Sequence, residues 1–217
     1  IFAVLQPLSG DHSAKNVAQR QPEKLAAMEG LFHTEKSAGL TVGGIPDVKN
    51  QEMKLGIKIP GLLSFLAYGD FNAEVKGLNE FPRENWPPVL PVHISFQIMV
   101  ACGFFLAAVG VVFWLLRWKW KKYLFDKKFL YLAAVSTPLG FLAVEAGWTV
   151  TEVGRQPWII YNIMKTADSV TPVPGQILHL SVFILIYLIL TVVAVWLMRR
   201  QIRALHASQP QEGSTEA

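Results

Sequence analysis

The sequence predicts an all-α membrane protein in which three transmembrane helices follow an extramembrane domain. Of its 217 residues, 52% are hydrophobic, and the mean hydropathy is +0.32. The apolar residues gather in three long blocks, each long enough to cross a bilayer. The segment before the first block is instead rich in Gly, Pro, Asp, Asn and Lys, with charges that nearly cancel. We expect the three helices to be part of a larger helical bundle.

The segment before the first apolar block divides into two parts. Residues 1–8 are apolar and are predicted to end a preceding membrane helix, whereas residues 9–91 form an extramembrane domain. Within this domain, residues 21–30 predict a short helix, with Pro22 in the first turn and Gly30 at the exit. So short a helix is unstable alone and must dock on other elements.

Two further features of the extramembrane domain are predicted from local sequence. Residues 43–47 read as a turn, and residues 53–59 alternate enough to be extended. The chain begins with an apolar run that lacks Met, a basic region and a cleavage site. We therefore expect it to be a carboxy-terminal fragment.

The charges beside the apolar blocks predict the topology. The membrane helices are predicted at 92–116, 129–153 and 177–198, with connections at 117–128 and 154–176 and a tail at 199–217. Basic clusters in the first connection and at the start of the tail should be cytoplasmic by the positive-inside rule, so the extramembrane domain lies on the outer face. Because most of the excess charge abuts these blocks, it does not indicate nucleic acid as a partner. The polar residues from 207 onward are expected to be disordered.

Two carboxylates and a tryptophan lie at the end of the second predicted membrane helix. Glu145, Trp148 and Glu152 are spaced three, four and seven residues apart, which places them on one helical face. An ionisable group within a membrane helix usually faces a polar cavity, a partner or a cofactor. Gly154 is predicted to end the helix in a left-handed cap, with Arg155 as a cation beside Glu152. The alternative is an interfacial helix end with an Arg–Glu pair and a Trp anchor.

The first predicted membrane helix contains a second candidate site. Met99 lies roughly 10 Å below the outer surface at ~1.5 Å per residue. Its thioether is a soft ligand that favours reduced haem iron, although a membrane Met more often packs. Gln97 lies close to the opposite face, while His93 and His179 are candidate ligands or proton relays at helix ends. The single cysteine, Cys102, excludes an internal disulfide and a Cys-based metal cluster.

Four motifs together resemble subunit I of the cytochrome bd-type quinol oxidases. In chain order they are Gln21-Pro-Glu-Lys-Leu-Ala-Ala-Met-Glu29, Ser95-Phe-Gln-Ile-Met-Val-Ala-Cys-Gly103, Glu145-Ala-Gly-Trp148 and Glu152-Val-Gly-Arg-Gln-Pro-Trp158. The resemblance extends to about Arg203, and Gly-Arg-Gln-Pro-Trp is among the most specific signatures of the family. It implies that residues 9–91 are a quinol-binding Q-loop, in its short form, on the outer face.

The resemblance also implies roles for individual residues. Lys24 and Glu29 match positions that take part in quinol oxidation, Met99 matches an axial ligand of the low-spin b haem, and Glu152 matches a ligand of one of two high-spin haems. The other predicted site residues are Glu145, Trp148 packed between haems, and Arg155 in the adjoining electrostatic shell. In the family, the position that matches Gln97 is often Arg, a cation that favours reduced haem. Because glutamine is neutral, that effect is in doubt in this chain.

The activity implied is that of a terminal oxidase of the bacterial plasma membrane. It oxidises ubiquinol or menaquinol at the outer face and reduces oxygen to water with cytoplasmic protons, without pumping. The cofactors implied are a low-spin haem b, a high-spin haem b and haem d, the last absent from an all-b variant. The partners implied are the amino-terminal half of subunit I, subunit II and membrane lipid. The competing hypothesis is a non-redox transporter or scaffold subunit that uses Glu145 and Glu152.

Overall fold

The computed structural model describes residues 2–170 and 172–207, and the side chains of residues 8–170 and 172–204. The helices are α1 (Phe2–Arg20), α2 (Pro22–Glu29), α3 (Leu62–Tyr68), α4 (Val89–Lys119), α5 (Lys127–Val153) and α6 (Gln176–Ala207). The strands are β1 (Glu35–Lys36), β2 (Leu40–Val42), β3 (Ile45–Asp47), β4 (Glu52–Lys54), β5 (Ile57–Ile59), β6 (Glu74–Val75), β7 (Trp158–Ile160) and β8 (Met164–Lys165). Residues 1–169 and 170–217 form two compact units.

The first helix is longer than the sequence analysis indicates. The predicted domain boundary lies after residue 8, whereas α1 continues to Arg20. Two contacts account for its polar second half. Asp11 and Lys15 form an ion pair of 2.6 Å one turn apart, and Ala18 is buried in a hydrophobic cluster of the extramembrane domain.

The predicted short helix is confirmed as α2. Pro22 occupies its first turn, and Gly30 ends it in the left-handed conformation with φ of 64°. Ala26 and Ala27 are fully buried and pack in a cluster with Val89 and Val92 of α4. The helix is therefore docked on the start of α4, as its short length required.

Antiparallel pairs of short strands follow α2, with β2 paired to β5 and β3 paired to β4. Gly43 and Gly44 make the turn with positive φ, but β3 already begins at Ile45, so the predicted turn over residues 43–47 is too long. The predicted extended segment over residues 53–59 is also interrupted, because Leu55 has a φ of 60° between β4 and β5.

Helices α4, α5 and α6 are each long and apolar enough to cross a membrane, which confirms the predicted fold class. In the first unit, α4 and α5 pack against each other, and the basic connection joins them at the end away from α2. Asp126 caps α5 by accepting a hydrogen bond from the Lys128 backbone N–H. Gly154, at the other end, has φ of −69° and ψ of −11°. The predicted left-handed cap is therefore wrong.

The second unit contains α6. At its start, His179 Nδ1 lies 3.4 Å from the Gly175 carbonyl oxygen, a local contact within the first turn. The predicted disordered tail beyond residue 207 lies outside the described residues.

Candidate functional site

Helix α2 joins the extramembrane domain to the ends of α4 and α5. Its buried alanines share a hydrophobic cluster with Phe32, Leu78, Val89 and Val92, and Val153 at the end of α5 packs against the same cluster. Such burial of apolar surface fixes the helix in place. The charged residues of α2 are consequently held at defined positions beside both membrane-length helices.

Glu29, at the end of α2, is a buried acid. Its side chain is 4% exposed, and its Oε2 atom lacks a hydrogen-bond partner within the described part of the chain. Burial raises the pKa of Glu29 to about 8, although a hydrogen bond from the Thr41 backbone opposes the rise. The carboxyl group is therefore mostly protonated at neutral pH and titrates close to it.

Lys24 lies on the same helix and reaches the end of α5. Its Nζ donates a hydrogen bond of 3.4 Å to the Thr151 carbonyl oxygen. Burial lowers the pKa of Lys24, as does the nearby Arg155, whereas Glu152 raises it. A methyl group added at Gly154 would lie 2.3 Å from the Val150 carbonyl oxygen and 3.2 Å from Lys24 Cε, so Lys24 packs on a position where the backbone already leaves no room for a side chain. The structure thus brings Lys24 close to Glu152 and Arg155.

A small cavity lies between α2 and the turn after α5. It has a volume of about 10 Å³, roughly that of one water molecule. Its lining comprises Gln21, Glu23, Lys24, Asn85, Pro87, Gly154, Arg155, Gln156, Trp158 and Tyr161. The Tyr161 hydroxyl donates a hydrogen bond to Glu23, and burial, followed by this bond, raises the pKa of Tyr161. The bond ties the β7–β8 hairpin to α2.

Three residues at this cavity were not predicted from the sequence: Glu23, Asn85 and Tyr161. Glu23 lies within the first family motif, beside Lys24, and that position could have drawn attention to it. Tyr161 and Asn85 belong to no periodic pattern, and Tyr161 is 138 residues from Glu23 in the chain. Only the folded structure places these residues side by side.

The predicted face of α5 exists, and the described part of the chain leaves it exposed. Glu145 and Glu152 are exposed, and Trp148 is 65% exposed. The predicted Arg155–Glu152 ion pair is not among the salt bridges that the described residues form. The interfacial alternative of an Arg–Glu pair therefore lacks its central contact, and the acidic face remains available to another group.

Met99 faces α5 from the neighbouring helix and is partly buried. A methyl group added at Gly147 would lie 3.0 Å from Met99 Sδ, so the thioether lies over the α5 backbone at that glycine. Gly147 precedes Glu152 by five residues, or roughly 7.5 Å of helix. Met99 and Glu152 therefore lie at different levels and do not form one site.

His93 is fully buried among backbone groups of the extramembrane domain. Its Nδ1 lies 2.7 Å from the Met28 carbonyl oxygen and its Nε2 3.3 Å from that of Gly43. Because an imidazole with one N–H can donate to only one carbonyl, the shorter contact to Met28 is assigned as the hydrogen bond. Among the described residues, no group of three or more His, Cys, Asp or Glu side chains could hold a metal ion by itself.

Comparison with known proteins agrees with the motifs and the fold. Residues 1–206 match the family described as cytochrome bd terminal oxidase subunit I. The chain is 38% identical over 214 residues to the cytochrome bd ubiquinol oxidase subunit 1 of Bacillus subtilis (strain 168), covering 90% of this chain and 44% of that protein. A second protein of that strain, provisionally named a cytochrome bd menaquinol oxidase subunit I, is 38% identical over 198 residues, covering 91% of this chain and 44% of that protein.

A solved structure shows the same fold. The bd oxidase from Geobacillus thermodenitrificans superposes with a TM-score of 0.81 and 39% sequence identity, over 94% of this chain and 47% of that one. This chain accordingly spans about half the length of the relatives that it matches. The family match over residues 1–206 and the shared fold lead to one conclusion: this chain belongs to the cytochrome bd terminal oxidase subunit I family.

Proposed function

We propose that this chain supplies the quinol-oxidising loop and two haem-ligating side chains of a bacterial quinol:oxygen oxidoreductase. The observation that carries the proposal is the docking of α2. It holds a buried acid, Glu29, and a buried amine, Lys24, against the ends of two membrane-length helices. Those helices contain Met99 and Glu152, the two proposed iron ligands.

Glu29 has the properties of a general base for quinol. Oxidation of a quinol to a quinone removes two electrons and two protons, so the site needs a proton acceptor. A base works best when its pKa lies near the working pH. With a pKa of about 8, roughly one tenth of Glu29 is ionised at pH 7. Its Oε2 atom is unbonded within the described chain and can accept a quinol hydroxyl proton.

Lys24 complements this acid on the same helix. Its amine carries three N–H donors when protonated, and the one hydrogen bond found, to Thr151, is long at 3.4 Å. Lys24 can therefore donate to an oxygen of a bound quinol. Because burial and Arg155 lower its pKa, the amine can also release a proton more readily than an exposed lysine.

The donor set fits haem. A thioether suits a low-spin, six-coordinate haem b, and we assign Met99 to it; a carboxylate suits a high-spin haem, b or d, and we assign Glu152 to that. When bound, the haems carry electrons from quinol to oxygen. The exposed indole of Trp148 offers a flat surface for a porphyrin. Lys24 and Arg155 supply positive charge beside Glu152.

The proposed orientation places the quinol site outside the cell. Helix α2 docks at one end of α4 and α5, and the basic connection over residues 117–128 lies at the other, which the positive-inside rule assigns to the cytoplasm. Two quinols and one oxygen molecule then give two quinones and two waters. Protons leave quinol outside and enter water from inside, so a gradient forms without pumping. We propose that Glu145, on the Glu152 face, holds one of the protons.

The assembled oxidase has further proposed components. They are the amino-terminal half of subunit I, which brings the remaining haem ligands, subunit II, and lipid on the apolar helix surfaces. The substrate is ubiquinol or menaquinol, and the two Bacillus subtilis relatives are named for different quinols.

The proposal is tested on the complete, purified oxidase that contains this chain. We expect haem absorption from three haems and oxygen uptake on addition of quinol, whereas a transporter would be colourless. Lys24→Met should reduce quinol oxidation at least tenfold and leave the haem spectra unchanged. Lys49→Met, an exposed lysine of the same domain, is the matched control. A colourless complex, or equal activity in the two variants, would contradict the proposal.

A further inference from the structure

Two side chains of α4, one turn apart, hold the backbone of the extramembrane domain. Gln97 Oε1 accepts a hydrogen bond of 3.1 Å from the Gly43 backbone N–H, and Gln97 Nε2 donates one of 2.9 Å to the Thr41 carbonyl oxygen. The amide of Gln97 therefore pairs with β2 and its turn much as a neighbouring strand would.

His93 adds contacts to the same segment. Its Nε2 lies 3.3 Å from the carbonyl oxygen of Gly43, the residue whose N–H is hydrogen-bonded to Gln97. Its Nδ1 lies 2.7 Å from the Met28 carbonyl oxygen. The His93 contacts thus connect the β2 turn to the last turn of α2. We name His93 and Gln97 together the α4 clamp.

The segments that the α4 clamp holds are those on both sides of Glu29. Met28 precedes this acid in the chain, and Gly30 follows it. A methyl group at Gly30 would lie 2.7 Å from Met53 Cε and 3.5 Å from His93 Nδ1, so Gly30 packs closely on Met53 with His93 beside it. The Thr41 backbone lies beside the Glu29 carboxyl group and opposes the rise of its pKa, while the Thr41 carbonyl accepts a hydrogen bond from Gln97. Thr41 therefore lies between Gln97 and Glu29.

We propose that Gln97 is a positioning residue for quinol oxidation, which acts by holding the Thr41–Gly43 backbone and, through it, the carboxyl group of Glu29. This inference rests on the proposed function, because it gives Glu29 the role of proton acceptor. In this role, Gln97 contacts the extramembrane domain and does not act on a haem. Met99, two residues further along α4, packs on Gly147 instead, so it is not part of the α4 clamp.

The test uses Gln97→Met in the complete oxidase, since methionine keeps the length of the side chain but cannot donate an N–H bond. Misplacing a catalytic group by a fraction of an ångström lowers the turnover rate, so we expect kcat for quinol to fall by about tenfold to a hundredfold. KM should change less than threefold, and the haem spectra and oxygen uptake from an artificial donor that bypasses quinol should be unchanged. Hydrogen exchange of the 38–48 segment should be faster.

The controls separate positioning from general damage. Ser95→Ala alters the residue between the two clamp side chains, and Ser95 makes no side-chain hydrogen bond within the described chain, so all readouts should match the unmodified enzyme. Gln97→Glu keeps the acceptor for the Gly43 N–H and should recover part of kcat. Unchanged kcat and unchanged exchange in Gln97→Met would overturn the proposal, as would altered haem spectra together with normal exchange.

Failure of the proposed function gives a different result. If the unmodified complex contains no haem and does not oxidise quinol, the proposed oxidase function is refuted. Hydrogen exchange in Gln97→Met then still reports whether Gln97 holds the 38–48 segment. If Gln97→Met does not assemble, then Gln97→Glu decides: it should show an intermediate kcat and faster exchange, and values equal to those of the unmodified enzyme would refute the positioning role.

Discussion

Replacing Glu29 with glutamine should separate the stability of the extramembrane domain from its activity. In the folded protein the pKa of Glu29 is about 8, raised from 4.5 by burial. Between these values the folded state holds a proton that the unfolded segment has lost, so local stability falls as pH rises. The stability is fully present below pH 4.5 and is lost as pH rises through the folded pKa.

The magnitude follows from the two pKa values. Each pH unit between the two pKa values lowers the local free energy of unfolding by at most ~1.4 kcal/mol. The integrated change from pH 6 to pH 8 is about 2 kcal/mol, or roughly fiftyfold in the local opening equilibrium. Glutamine has nearly the same shape and does not ionise. The Glu29→Gln variant should therefore lose this pH dependence and resist opening above neutral pH, while quinol oxidation falls by roughly a hundredfold or more for lack of a base.

The assay is hydrogen exchange of the α2 amides in the complete oxidase at pH 6, 7 and 8, corrected for intrinsic exchange, together with quinol-dependent oxygen uptake. Glu52→Gln is the matched control, because Glu52 is an exposed acid of the same domain. If α2 in the unmodified protein opened equally at all three pH values, the inference that Glu29 is buried and titrates in this range would be refuted. If Glu29→Gln kept full activity, its role as proton acceptor would be refuted.

Three other substitutions test the rest of the site. Met99→Leu should alter only the low-spin haem signal in difference spectra, because leucine offers no sulfur ligand, and Glu152→Ala should abolish the high-spin signal that its carboxylate supports. Tyr161→Phe removes the hydrogen bond to Glu23 and should destabilise docking of the β7–β8 hairpin on α2 by about 1 kcal/mol, measured as roughly fivefold faster exchange of the residue 158–165 amides.

The methionine and tyrosine substitutions each have a control of the same residue type. Met198→Leu in α6 should leave every haem signal unchanged, and Tyr131→Phe, at an exposed position of α5, should leave hairpin exchange unchanged. Unaltered spectra in both Met99→Leu and Glu152→Ala would show that neither residue ligates iron. Equal exchange in the two tyrosine variants would show that the Glu23 contact does not hold the hairpin.

The features of the fold that depend on local pattern were predictable. Three long apolar blocks specify three membrane-length helices, because a bilayer demands length and apolarity and little else. Pro22 and Gly30 mark the two ends of α2, because each restricts or permits a particular backbone conformation. The strands of the extramembrane domain were less predictable, since two- and three-residue strands depend on partners that lie elsewhere in the chain.

In the candidate site, too, the features that follow from local sequence were predictable and the long-range contacts were not. Helical spacing was enough to place Glu145, Trp148 and Glu152 on one face. It did not reveal that Gln97 pairs with backbone 54 and 56 residues earlier. Gly154 shows the limit most directly, because glycine at a helix end usually indicates a left-handed cap. Here the glycine stays in the right-handed region, and a methyl group on it would meet the Val150 carbonyl oxygen at 2.3 Å and Lys24 of another element at 3.2 Å.

The position of the α4 clamp on the same helix as Met99 bears on how electrons would leave a bound quinol. A long helix is a rigid element. The two residues of the α4 clamp lie within six residues of Met99, or roughly 9 Å along the helix axis. One rigid helix therefore contains both the α4 clamp, which holds the backbone around Glu29, and Met99, the proposed haem ligand. If Glu29 and Met99 have the proposed roles, the separation of proton acceptor and haem ligand is therefore set largely by α4 and less by the intervening loop.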